Sequence, residues 1–152
     1  MHPIILIAGV LVAVTVFVHV AGLTVLLMAL RRWRATTLTR FWPISRLLIV
    51  MAWWLILCHL VEISIWGFFY LWSECLPDAE AALYFSGVTY TSIGYDDLVL
   101  AKPWRVLAPI EGLTGVLMCG LSASIFFAFV YNLYQLRYGN STGGSTTERT
   151  HT

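Results

Sequence analysis

Thr89, Thr91, Ser92, Gly94, Tyr95, Asp96 and Asp97 form the densest group in this chain of residues able to handle a charged ligand. Hydroxyl and carboxylate oxygens are the ligands that hard cations prefer. A glycine among them frees the main chain to aim its own carbonyls at the same target. The surroundings make the combination unusual. The run lies within Ser73 to Pro103, which is too polar to cross a bilayer and, around Ala79 to Ile93, too apolar for an ordinary exposed loop.

His59, Glu62 and Glu111 stand inside long apolar runs, where ionisable groups are costly. His59 and Glu62 are one helical turn apart. His-x-x-Glu is half of a metal-ligand pattern, and nothing in the sequence completes it. No nucleophile–base pair or full metal set can be assembled from the few polar residues, so an enzyme is not expected and no cofactor is implied.

The elements that must position these groups are set by composition. The chain has 152 residues, is 59% hydrophobic and has a mean hydropathy of +0.80, which excludes a soluble domain and predicts several membrane spans. Pro3 to Leu30 carries no formal charge and is long enough to cross a ~30 Å hydrocarbon core with tilt. Met1-His2-Pro3 lacks a basic leader, so the segment is read as a retained span. A second span, Ile44 to Trp72, opens after Pro43, and a third runs from Trp104 to Leu136 with Pro109 near its start, where a missing N–H is tolerated. The predicted division is a first helix over 1–30, an Arg-rich loop over 31–43, a functional unit over 44–136 and a disordered tail over 137–152. A net charge of +1 without a basic face excludes a nucleic-acid partner. Cys58 and Cys119 fall in apolar runs; Cys75, in a polar loop, is either an unpaired thiol or a cross-link to a neighbouring copy.

Arg31, Arg32, Arg34, Arg40 and Arg46 crowd the first connection, while Glu74, Asp78, Glu80, Asp96 and Asp97 lie in the second. The positive-inside rule puts the N-terminus outside and the C-terminus in the cytoplasm, in a plasma or bacterial inner membrane. Asn140-Ser141-Thr142 matches a glycosylation sequon but falls on the cytoplasmic side. Pro77 and Asp78 start a helix over 79–91, with Asp78 as its cap. That helix reaches at most half-way through a bilayer. A half-helix returning as extended chain is tolerated only where it is buried in protein or lines a watery cavity, and cations would be suitable partners for its free carbonyls.

Thr89-x-Thr91-Ser92-Ile93-Gly94-Tyr95-Asp96-Asp97 resembles the potassium-channel signature, Thr-x-Thr-Thr-Val-Gly-Tyr-Gly-Asp. Phe85 and Ser86 match an aromatic residue and a serine of the family's pore helix, and Trp104 matches a Trp that opens the inner helix. The resemblance covers roughly residues 44 to 136, in the order outer helix 44–72, pore helix 79–91, filter 92–97 and inner helix 104–136. The first span resembles the extra N-terminal helix of some prokaryotic channel-like proteins.

The fold implied is an all-α membrane protein, with three transmembrane helices plus a re-entrant pore helix and extended filter, assembled as a homotetramer in lipid. The resemblance implies that dehydrated K⁺ is held by the carbonyls of Ser92, Ile93, Gly94 and Tyr95 and the Ser92 hydroxyl, with Thr89, Thr91, Tyr84 and Asp97 supporting the filter. A bond from the Tyr84 hydroxyl to Asp97 is expected, because Tyr84 occupies the place of the family's aromatic donor. Asp96 replaces a glycine at positive φ, which Asp is among the few residues to tolerate. Asp96 and Asp97 from every copy would ring one mouth, concentrate cations and offer a divalent site.

Glu62 is expected to face the back of the pore helix and bond Ser or Thr groups there, or to pair with His59, with His19 at comparable depth. Glu111 either supports the filter from behind or lines the outer vestibule. Gly115 and Gly120 are candidates for an inner-helix hinge, or for close packing through small residues. Passive conduction of K⁺ is the leading expectation. A non-selective or divalent-permeable pore for Na⁺ or Ca²⁺, owing to Asp96, is the alternative, and a non-conducting membrane interaction subunit is a third reading. The first span has no arginine ladder and so no voltage sensor of the usual kind.

Overall fold

The computed structural model describes residues 2–31, 41–95 and 97–138. Three long helices, α1 (His2–Arg31), α2 (Phe41–Trp72) and α4 (Leu107–Tyr138), enclose a short one, α3 (Ala79–Tyr90). A single 3₁₀ turn, Trp104–Val106, leads into α4. Each long helix is apolar all round and contains a segment long and apolar enough to span a membrane. Phe17, Trp53, Phe68, Leu113 and Phe127 point away from the protein, as lipid- or partner-facing side chains do. The protein is thus an all-helical membrane protein with three helices able to cross the bilayer.

Helix ends follow from backbone chemistry. α2 begins at Phe41, ahead of Pro43, rather than after it. The first turn of a helix has N–H groups without intrahelical partners, so a proline there removes nothing. Pro109 sits in the first turn of α4 for the same reason. At the other end α4 continues through Tyr138, two residues into the predicted tail. The rest of that tail, and Arg32, Arg34 and Arg40, lie outside the described residues. Asp78 caps α3, its Oδ1 accepting the Ala81 N–H at 2.8 Å.

α3 stops at Tyr90 through a Schellman turn. Thr91 is the cap, Ser92 takes a left-handed φ of 59°, and its N–H donates to the Thr89 carbonyl at 2.9 Å. The Ile93 N–H closes the motif on the Val88 carbonyl at 2.9 Å. Glycine is usual at the left-handed position; serine there carries a cost of roughly 1–2 kcal/mol, and the absence of a β-branch keeps it from being larger.

α3 is wedged between α2 and α4, while α1 packs on both. One apolar cluster joins Leu11 of α1, Trp66 and Tyr70 of α2, Ala82 and Phe85 of α3, and Leu107 of α4. Tyr70 and Phe85 meet edge to face at 5.3 Å. A second cluster, Leu23, Leu26, Met51 and Leu55, closes the α1–α2 seam toward the other end. Trp66 Nε1 donates to Thr15 Oγ1 at 3.0 Å and Trp54 Nε1 to the Gly22 carbonyl at 2.9 Å, tying α1 to α2 by directional bonds.

Gly115 lets α4 touch the end of α3. A Cβ built there would lie 2.0 Å from the Tyr90 carbonyl oxygen, whereas one at Gly120 would meet nothing within 4 Å of its own chain. Of the two glycines expected to serve as a hinge or a close-packing site, Gly115 takes the packing role. Gly115→Ala should push α4 off α3 and lower the thermal midpoint of the purified protein, at a cost of about 1–3 kcal/mol. Gly120→Ala should leave the midpoint unchanged or raise it through helix propensity. Equal midpoints for Gly115→Ala and the parent in a fluorescence-detected melting series would refute the assignment.

Candidate functional site

The main chain after α3 has a marked asymmetry between its donors and acceptors. The N–H groups of Ile93 and Gly94 both donate to the Val88 carbonyl, at 2.9 and 3.1 Å. Among the described residues, the carbonyls of Ser92, Ile93, Gly94 and Tyr95 accept no hydrogen bond, and all four residues are exposed on the single chain. Gly94 takes a φ of 57°, a conformation open to residues without a Cβ at little cost. Thr91 Oγ1 donates back to the Gly87 carbonyl at 2.7 Å, and the Thr89 carbonyl receives the Ser92 N–H, so both threonines belong to the helix end that holds this segment.

Tyr84 Oη donates to Asp97 Oδ2 at 2.9 Å, the bond expected from the sequence. Asp97 Oδ1 also accepts the Leu98 N–H at 3.1 Å, so one carboxylate joins α3 to the chain that follows the exposed segment. The bond to Asp97 raises the Tyr84 pKa, because an ionised phenol could no longer donate to a carboxylate. Asp96 lies outside the described residues.

Behind α3, Glu111 is fully buried. Its Oε1 accepts the Ser86 hydroxyl at 2.5 Å and its Oε2 the Tyr70 hydroxyl at 2.7 Å. One carboxylate of α4 thereby clamps α2 and α3 together, and the vestibule position expected as one option is not the one adopted. Ser86 Oγ also lies 2.8 Å from the Ile63 carbonyl.

Glu62 is the centre of a second network, equally buried. Oε1 lies 2.7 Å from His19 Nδ1, and Oε2 lies 3.5 Å from His59 Nδ1 and accepts the hydroxyl of Tyr90. Tyr90 Oη is also 3.1 Å from His59 Nδ1, and His19 Nε2 is 3.3 Å from Ser122 Oγ of α4. The partner of Glu62 on α3 is thus a tyrosine and not the Ser or Thr expected. The α3 serine bonds Glu111 instead, because Ser86 and Tyr90 sit one turn apart and meet different carboxylates. His19 joins the pair and brings in α1. Glu62 and His19 lie near the middle of α2 and α1, so the end of α3 packs level with the middle of those two helices.

A scan for protein families matches residues 56–132 to the ion channel family, just over half of the chain. The chain belongs to the ion channel family. The matched stretch runs from the middle of α2 through α3 and the exposed main-chain segment into α4, and α1 lies outside it. No curated protein and no solved structure matches the chain. Membership in the ion channel family gives the chain a coarse activity, cation conduction, and suggests a conducting rather than a catalytic protein.

Tyr70, Tyr90 and Ser122 were not singled out from the sequence, and spacing gives a weak mark only to Tyr70 and Tyr90. Glu62, Trp66 and Tyr70 recur every fourth residue on one face of α2, as do Ser86 and Tyr90 on α3. Thr15 and His19 repeat the interval on α1. Each stripe of groups able to hydrogen-bond is the buried face of its helix.

Tyr70→Phe should leave a Glu111 oxygen without its donor in a dry site and destabilise the protein by about 1–3 kcal/mol, read as a lowered thermal midpoint. An unchanged midpoint would show the bond to be dispensable. Tyr84→Phe should shorten the open lifetime in single-channel recordings while leaving overall helicity unchanged. Since the Tyr84 pKa is raised on folding, the contribution of its bond is complete below the ordinary tyrosine range and disappears as pH climbs through the raised value. The difference between Tyr84→Phe and parent channels should accordingly vanish in strongly alkaline solution, and a constant difference across that range would refute the role of this hydroxyl.

Proposed function

We propose that four copies of this chain surround a passive K⁺ pore, with the carbonyls of Ser92, Ile93, Gly94 and Tyr95 and the Ser92 hydroxyl replacing the ion's water shell. One observation carries the reading: the amides of Ile93 and Gly94 are turned back onto Val88, and the carbonyls beside them are exposed and without partners among the described residues. Oxygens in that condition at mid-membrane depth need a cation or water to satisfy them. Four such segments facing one axis would supply stacked rings of oxygen.

Thr89, Thr91, Tyr84 and Asp97 hold the segment from α3, and Glu111 and Glu62 brace α3 from behind. Asp96 and Asp97 ring the outer mouth, where their charge concentrates cations. Arg31 and Arg46 flank the first connection and Glu74 and Asp78 the second, so the filter mouth faces outward and the C-terminus lies in the cytoplasm.

Asp96 favours a second reading, a pore that passes Na⁺ or Ca²⁺, because a carboxylate stands where the resembling channels have glycine. Reversal potentials of the purified protein in planar bilayers, under K⁺/Na⁺ and K⁺/Ca²⁺ gradients, separate the two. The expected outcome is a reversal close to the K⁺ equilibrium potential, with Asp96→Gly sharpening the preference. A reversal near zero in K⁺/Na⁺ that Asp96→Gly moves to the K⁺ potential would establish the second reading. Flat records from verified tetramers would overturn conduction by this chain alone and favour a non-conducting subunit.

A further inference from the structure

We propose that His19, His59 and Glu62 form a binding site for a divalent transition-metal ion of the Zn²⁺ class, between α1 and α2, with the Tyr90 hydroxyl as a fourth ligand. The donor atoms of the two histidines and the glutamate all lie within 4.8 Å of one another. His19 Nδ1 faces one oxygen of the Glu62 carboxylate at 2.7 Å and His59 Nδ1 the other at 3.5 Å, while Tyr90 Oη is 3.1 Å from His59 Nδ1. Ligands about 2.0–2.1 Å from a tetrahedral Zn²⁺ stand roughly 3.3–3.5 Å apart. The His59–Glu62 spacing already meets this, and the His19–Glu62 and Tyr90–Glu62 contacts would each widen to reach it.

Other observations fit a metal ligand set. His19 Nε2 has Ser122 Oγ at 3.3 Å, the kind of outer partner that fixes a ligating imidazole's tautomer and leaves Nδ1 free to bind. His19 and Glu62 are fully buried, whereas the His59 side chain is 18% exposed on the single chain. Two imidazoles with one carboxylate suit Zn²⁺, Ni²⁺ or Cu²⁺, and disfavour Ca²⁺, Mg²⁺ and K⁺, which prefer all-oxygen shells. In an apolar surround, the carboxylate offsets half the charge of the ion.

The sequence offered His59-x-x-Glu62, half of this set, with His19 only at comparable depth. The missing ligand comes from α1, which lies outside the stretch matched to the ion channel family. A bound ion would join α1 and α2 to Tyr90, the last residue of α3, and so to the turn that precedes the exposed carbonyls.

The test is a metal titration of the full-length, chelator-stripped protein, with Zn²⁺ uptake counted per chain and Co²⁺ used as the spectroscopic probe. The expected result is one tightly held Zn²⁺ per chain, insensitive to excess Ca²⁺ or Mg²⁺, and a Co²⁺ spectrum of tetrahedral intensity that Zn²⁺ abolishes. His59→Ala, at the exposed edge, and His19→Gln should both remove the spectrum, and Ser122→Ala should weaken binding about 10- to 100-fold. Helicity and elution volume verify folding, and His59→Ala carries the test if the buried His19→Gln variant does not fold. A Zn²⁺ stoichiometry and Co²⁺ spectrum unchanged in folded His59→Ala would overturn the assignment, as would parent protein taking up no Zn²⁺. Binding is measured without ion flux, so this outcome is separate from that of the K⁺ reading.

Discussion

Holding a run of exposed main-chain carbonyls, without partners among the described residues, at the end of a short helix packed among three apolar spans is the demand that the rest of this structure meets. A bilayer core supplies no water, and each orphaned polar group there costs several kcal/mol. Ending α3 level with the middle of α1 and α2 creates such groups in two places, at the helix terminus and along the chain that follows. The Schellman turn disposes of the first, since the amides of Thr91, Ser92, Ile93 and Gly94 return to the carbonyls of Gly87, Thr89 and Val88. Using up those amides on one side leaves the neighbouring carbonyls directed elsewhere, so the same turn that finishes the helix creates the oxygen-lined surface.

A segment in this state needs rigid support, and apolar contact alone gives little directional control in an environment as apolar as lipid. Two buried carboxylates provide it. Glu111 of α4 binds Tyr70 of α2 and Ser86 of α3, and Glu62 of α2 binds His19 of α1 and Tyr90 of α3. Each joins three helices through hydrogen bonds that tolerate little rotation. Among the described residues, no buried side-chain nitrogen or oxygen lacks a partner. That condition allows ionisable groups in a dry interior, where a half-satisfied network would be worse than an apolar one. Gly115 completes the support by bringing α4 against the Tyr90 carbonyl.

α1 has a place in this scheme although the ion channel match begins beyond it. Thr15 and His19 face Trp66 and Glu62 across the seam with α2, and His19 reaches Ser122 of α4. The helix therefore backs the same polar centre that holds the end of α3. Its remaining face, with Leu6, Phe17 and Met28 exposed, is suited to lipid.

Three spans, a half-length helix capped by Asp78, and the Tyr84–Asp97 bond were all readable from residue order, because each depends on local quantities. Apolar length decides whether a segment can cross a bilayer, cap chemistry decides where a helix starts, and the run Thr89 to Asp97 carries its resemblance in its own letters. The meeting of Glu111 with Ser86 and Tyr70, the Tyr90 partner of Glu62, and the choice of packing over hinging at Gly115 were not readable in this way, and His19 was placed only by its depth. Helices that are apolar on every side carry no face that must point inward, so the sequence leaves their rotation about the long axis open. Only packing four of them together selects which stripe is buried, and with it which polar groups across 25 to more than 100 residues of chain come within bonding distance.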